Sequence, residues 1–184
     1  GGKRTPFGDF GKSLRDTPMS QLATHAANAA LMDAKVDPID VDHLVWGNVL
    51  PVDPDGFYTG RVAALNVGMP EESCALQVNR ACGSGTQAII TAAQQIMTGH
   101  SKIALAGGGE NFSRGGFVNQ KMRWGAIRGA QPFEDSVEWA YNDPFGHGLM
   151  GVTGENLADD FQYRREDMDK WGEMSQQRAG VAMK

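Results

Sequence analysis

Apolar residues recur at helical spacing through residues 18–34, where Leu22, Ala26, Ala29 and Ala30 align along one face with Asp33. Thr17-Pro18 supplies a candidate N-cap and a proline suited to the first turn, and Asp37-Pro38 ends the segment. Residues 43–50 (HLVWGNVL) then form an apolar run of strand length, followed by a loop with Pro51, Pro54 and Gly56 and a short helix over residues 60–66. A second strand is expected at residues 74–78 and a helix at residues 83–98, with apolar stripes at Ala88, Ala92, Ile96 and at Ile89, Ala93, Met97. Gly99 stands where a left-handed helix stop belongs, and residues 103–106 make a third, wholly apolar strand entering Gly107-Gly108-Gly109. Strands alternating with helices predict an α/β sheet covered by helices. Beyond Asn111 the periodicity weakens into a stretch rich in Gly, Arg and aromatics, with a turn or two of helix at residues 134–141 and two helices at residues 153–161 and 165–183. A boundary near Phe117 therefore separates a sheet-forming part, residues 1–117, from a helical and loop-rich part, residues 118–184.

Composition narrows the function classes. The 184 residues carry 17 Lys+Arg against 22 Asp+Glu, a formal net charge of −5, which argues against a nucleic-acid partner. No apolar stretch approaches the roughly 20 residues of a membrane span. The two cysteines, Cys74 and Cys82, cannot build a disulfide framework, and no charged segment with an apolar run opens the chain, so a reducing, cytoplasmic location is expected. His25, His43, His100 and His147 are scattered without metal-ligand spacing, so no metal site is expected. There are 24 glycines, nearly double the usual share of about 7%, which points to tight turns and close backbone approaches.

The sharpest local feature is Val78-Asn79-Arg80-Ala81-Cys82-Gly83-Ser84-Gly85, a strand turning abruptly into a helix with Cys82 at the junction. A thiol at a helix N-terminus faces unpaired N–H groups and the positive end of the macrodipole, which suits an anionic sulfur. Two readings stand at this point: a nucleophile, or the small buried hydrophobe that a free cysteine commonly is. A helix end contributes only about 1 kcal/mol, so a reactive thiol also needs a base, and spacing marks none of the four histidines as that partner. Ser84 sits past the elbow. Gly107-Gly108-Gly109 completes neither GxGxxG nor GxxxxGK[ST], so close packing is favoured over a nucleotide loop. Arg123, Arg128, Arg164 and Arg165 suit either phosphate attraction or a solvated surface, and Trp124, Trp139 and Trp171 are expected to pack within the loop-rich part.

VNRACGSGTQAI resembles the nucleophile segment of the thiolases, which make or cleave 3-ketoacyl-CoA by ping-pong acyl transfer through a cysteine. The likeness continues in order through Arg4-Thr5-Pro6-Phe7-Gly8, Gly47-Asn48-Val49, Gly60-Arg61-Val62-Ala63-Ala64, Ala106-Gly107-Gly108, Glu110 with Ser113-Arg114, Arg123-Trp124-Gly125, Met150-Gly151-Val152-Thr153 with Glu155-Asn156, and Ser175-Gln176-Gln177-Arg178-Ala179. The resemblance implies the thiolase fold, an α/β arrangement of helices layered on a mixed sheet, with an N-terminal core half and part of an inserted loop domain. It makes Cys82 the acylated nucleophile, whose backbone N–H contributes to the oxyanion hole. It also implies that the activating histidine and a second, proton-shuttling cysteine belong to a C-terminal half beyond residue 184, so this chain alone is expected not to turn over substrate. Cys74, in the strand leading to Cys82, is not that second cysteine.

The family's opening apolar strand is replaced here by Gly1-Gly2-Lys3, and its His-Met-Gly reads Leu149-Met150-Gly151. Leu149 and Met150 are thereby placed near the acyl-CoA, and Leu149 in the histidine's position tilts the expectation toward broader 3-ketoacyl substrates. His147 is read as a loop residue, and Gly109 replaces a methionine common in the family. The implied partners are acyl-CoA and coenzyme A as substrates, with no separate cofactor, in a homodimer or homotetramer. The alternatives are a ketoacyl synthase and a non-catalytic thiolase-like protein that binds acyl-CoA.

Overall fold

The computed structural model describes residues 1–183. The chain divides into two compact units, Gly1–Val137 and Glu138–Lys184. The first contains α1 (Met19–Ala34), β1 (His43–Gly47), α2 (Thr59–Asn66), β2 (Cys74–Val78), α3 (Ser84–Met97) and β3 (Ala104–Gly108), followed by the short strands β4 (Phe117–Val118) and β5 (Glu134–Asp135).

β1 is the central strand and pairs in parallel with β2 on one side and β3 on the other, so His43 lies opposite both Cys74 and Ala104. All three strands run one way, and among the described residues antiparallel pairing is confined to two-stranded ribbons such as β4–β5. A central parallel strand must hide both faces, which explains why β1 reads as an unbroken apolar run. Its alternate residues serve two cores: Leu44 and Trp46 pack with α1 and α2, while Val45 packs beneath Ala88 and Ala92 of α3. Ala23 and Ala27 of α1 meet the same core as Ala63 and Ala64 of α2, and these small side chains let the two helices approach closely.

The buried line of α1 is Met19, Ala23, Ala27 and Leu31, one position on from the expected face; Leu22 flanks it and Asp33 is exposed. A helix this rich in alanine shows little contrast between adjacent faces, so the pattern alone leaves its rotation loosely set. Thr17 is not the cap. Pro18 holds the cap position without a side-chain bond, and the carboxylate of Asp53, 34 residues away, accepts the Met19 N–H at 2.9 Å. The same buried Asp53 receives Arg114 Nε at 2.5 Å. Asp53→Ala orphans that helix donor and one face of the guanidinium, and is expected to cost about 2 kcal/mol. Urea denaturation measures this, and a loss under about 0.5 kcal/mol would contradict the assignment.

Residues 117–137 stay with the first unit through the β4–β5 pairing and a Ser136 N–H bond to the Gly116 carbonyl at 3.1 Å. The second unit holds a ribbon of β6 (Asn142–Asp143) and β7 (Gly148–Leu149), then α5 (Met150–Asp160) and α6 (Arg165–Ala182). Ala158 is its one buried hydrophobic among the described residues. Trp124, Trp139 and Trp171 are 82%, 44% and 70% exposed, so the expected packing of these rings is not found. No helix among the described residues is long and apolar enough to cross a membrane.

Candidate active site

The C-terminal ends of the three parallel strands converge, the edge at which open α/β sheets commonly place their chemistry. β2 ends at Val78, α3 begins at Ser84, and Cys82 sits in the turn between them with its residue exposed. The buried reading of this thiol is thereby excluded. Ala81, immediately before it, has φ +45°, a left-handed conformation that costs a non-glycine residue about 1 kcal/mol or more and so must be held by its surroundings.

Two side chains do the holding. Asn79 Oδ1 accepts the Ala81 N–H at 3.0 Å, while Ser84 Oγ accepts the Arg80 N–H at 2.8 Å and donates to the Ala81 carbonyl at 2.6 Å. Gly83 N–H closes back on the Arg80 carbonyl at 3.0 Å. Ser84 is 5% exposed with its hydroxyl engaged in both directions, so it builds the elbow and does not present a nucleophile. The end of β1 presses against the first turn of α3: a Cβ on Gly47 would lie 2.7 Å from the Ser84 carbonyl carbon and oxygen and 2.9 Å from Gly85 N. Gly107 and Gly109 are equally crowded, by the Trp46 ring and the Met19 methyl, which accounts for the glycine run by packing.

The loops after β1 and β3 meet through Glu110. Its Oε1 accepts Val49 N–H at 2.5 Å and Asn48 Nδ2 at 2.9 Å, and its Oε2 accepts Leu50 N–H at 3.1 Å. Asn48 is itself buried, donating to the Gly109 carbonyl at 3.1 Å and accepting from Gln77 Nε2 of β2 at 3.4 Å. Burial pushes the Glu110 carboxyl above its ordinary value of 4.5, outweighing the donors that favour the charged form. Because the folded value is the higher one, the group's stabilising contribution is full below pH 4.5 and is lost as pH rises through the raised value. Wild type should therefore lose stability relative to Glu110→Gln as pH climbs across that window. Parallel urea titrations test this, and a pH-independent difference would contradict it.

His43 and His100 lie at the opposite ends of β1 and α3 from the elbow, and the 14 residues of α3 alone span about 20 Å. His25 is an exposed residue of α1, and His147 belongs to the second unit. Neither His43 nor His100 can thus serve Cys82 as its base. Cys74 is exposed at the start of β2, also away from the elbow. In the second unit, Leu149 is exposed at the N-cap of α5 and Met150 is its first residue. Arg164 and Arg165 pair with Asp167 and Asp169 on α6 at 3.3 and 2.8 Å, solvated surface pairs that fit the solvated-surface expectation for these two arginines. No group of three or more His, Cys, Asp or Glu side chains suited to a metal occurs among the described residues. A cleft of about 970 Å³ lies between residues 1–10 and β3, and Cys82 is not among its walls.

Asn48, Asn79 and Glu110 emerge from the geometry as the residues that shape the nucleophile turn. In the sequence they appear only inside motifs matched to the family, because their partners lie at three different strand ends.

Fold and turn together define an α/β protein that presents a free thiol at a strand-to-helix elbow. The family model for the thiolase N-terminal domain matches residues 1–184, and the chain belongs to the thiolase family. It is 42% identical over 183 residues to the beta-ketothiolase BktB of Cupriavidus necator, covering 100% of this chain and 46% of that protein. To the mitochondrial 3-ketoacyl-CoA thiolase of Homo sapiens it is 40% identical over 177 residues, covering 96% and 45%. The crystal structure of the human mitochondrial enzyme in complex with CoA superposes with a TM-score of 0.93 at 39% identity, covering 98% of this chain and 46% of that one. A Bacillus anthracis acetyl-CoA acetyltransferase superposes at 0.85 with 34% identity, covering 91% and 42%. The chain thus spans about half the length of the relatives it matches.

Proposed function

We propose that the protein carrying this chain forms or cleaves 3-ketoacyl-CoA by ping-pong acyl transfer through a thioester on Cys82. The observation that carries the reading is the exposed thiol held behind a left-handed residue at the head of α3. In condensation the sulfur attacks the thioester carbonyl of an acyl-CoA and coenzyme A leaves. In cleavage it attacks the 3-keto carbonyl of a 3-ketoacyl-CoA, the C2–C3 bond breaks, and the carbanion of the shortened acyl-CoA leaves and is protonated. In both a tetrahedral oxyanion collapses to leave the acyl group on Cys82. A second acceptor then removes it, coenzyme A in cleavage or an acyl-CoA carbanion in condensation. Both steps need a base and a proton donor, which the distant His43 and His100 do not supply; by family resemblance they come from the remaining half of the protein. The name of the human relative's structure, a complex with CoA, supports coenzyme A thioesters as substrates. The chemistry exchanges acyl groups between sulfur and carbon nucleophiles and calls for no further cofactor.

Leu149 and Met150 are proposed to border the acyl-CoA, with Leu149 favouring apolar acyl chains. The reading extends to a homodimer or homotetramer, supported by the free edge of β2, which pairs only with β1 among the described residues and leaves Leu76 39% exposed. A reducing compartment, in the simplest case the cytoplasm, would keep Cys82 as a free thiol. The test is intact-mass measurement after incubation with acetyl-CoA and, separately, with an acetylated carrier protein. Gain of one acetyl group from the coenzyme A arm is expected. Labelling from the carrier protein alone would favour a ketoacyl synthase, and labelling from neither would favour a binding protein without chemistry.

A further inference from the structure

A continuous path of hydrogen bonds links the half-buried carboxylate of Glu110 to the residue before Cys82. Glu110 holds the backbone N–H groups of Val49 and Leu50; the Val49 carbonyl accepts Asn79 Nδ2 at 3.4 Å; and Asn79 Oδ1 holds the N–H of Ala81 at 3.0 Å. Ala81 is the left-handed residue, so the path ends where the backbone is least able to keep its conformation unaided. A second connection runs from the same carboxylate through Asn48 to Gln77, two residues before Asn79. The three donors together occupy both carboxylate oxygens: Oε1 takes Asn48 and Val49, the starts of the two connections, while Oε2 takes Leu50 and fixes the carboxylate in the loop.

We propose that Glu110 is a positioning residue for Cys82, acting through the Asn48–Leu50 loop and Asn79 and not by touching the reacting atoms. Its importance for acyl transfer rests on the reading given above, but its effect on the thiol does not require that reading. Glu110→Gln keeps the shape and offers only one acceptor oxygen, so its amide N–H₂ must face either Leu50 N–H or the Asn48–Val49 pair. Asn79→Ala cuts the path at an exposed residue without opening the core.

The experiment follows iodoacetamide alkylation of Cys82 and Cys74 by peptide mass spectrometry in wild type, Glu110→Gln, Asn79→Ala and the double variant of the whole protein that carries this chain. Cys74, exposed at the far end of β2, is the internal reference for any general loosening. The Cys82-to-Cys74 rate ratio should fall about fivefold in each single variant, as the thiol is no longer held at the head of α3. The double variant should fall no further than the lower single, because both changes cut one path. The urea midpoint of Asn79→Ala should fall only slightly, because the exposed Asn79 gives up two hydrogen bonds and no core contact. An unchanged ratio in Asn79→Ala, or independent losses that multiply in the double variant, would overturn the proposal; should Glu110→Gln fail to fold, Asn79→Ala alone decides it. Acetylation from acetyl-CoA is measured on the same samples. A wild type that shows the alkylation pattern but no acetylation would sink the acyl-transfer reading and leave the positioning role standing.

Discussion

Valine in place of Gly47 is expected to lower the stability of the first unit by about 3 kcal/mol or more, at the upper end of what overpacking costs. The reason is the identity of the atoms in the way. A Cβ there would meet the Ser84 carbonyl at 2.7 Å and Gly85 N at 2.9 Å, which are backbone atoms of the first turn of α3 and cannot rotate aside as a side chain would. Relief requires α3 to slide from β1, which opens the packing of Val45 against Ala88 and Ala92 and disturbs the turn carrying Cys82. The urea midpoint and the Cys82 alkylation rate should both fall. A midpoint within error of wild type would mean that β1 and α3 are not in this contact.

Serine in place of Cys82 should suppress acyl-adduct formation by a factor on the order of 10⁶, the scale on which losing a covalent nucleophile costs other acyl-transfer enzymes. A hydroxyl is far less acidic than a thiol, and His43 and His100 lie too far from the elbow to activate it. The fold should be untouched, because residue 82 is exposed and the turn is closed by Asn79, Arg80 and Ser84. Circular dichroism and the urea midpoint check that half of the expectation. Adduct formation at a comparable rate in the serine variant would show that residue 82 does not carry the acyl group.

Local pattern revealed what local physics determines. The alternation of strand and helix was readable because β1 and β3 must be apolar on both faces and because proline and glycine punctuate the segments. The cysteine elbow was readable because a strand, a turn and a helix succeed one another within eight residues. Long-range partners left no such trace. Thr17 looks like a cap for α1, yet Asp53 supplies it from 34 residues away. Glu110, Asn48 and Asn79 show no periodicity or spacing to suggest that they meet; the parallel topology alone brings them together. The three tryptophans misled for the opposite reason, since their size suggests burial while this chain leaves all three substantially exposed.

The central claim is that Cys82 receives an acyl group from coenzyme A, and locating that group tests it most directly. After exposure to acetyl-CoA, digestion and mass spectrometry should find a hydroxylamine-labile acetyl group on the peptide containing Cys82 and none on the peptide containing Cys74, although both thiols are exposed. Acetyl groups shared evenly between the two cysteines, or confined to Cys74, would contradict the account.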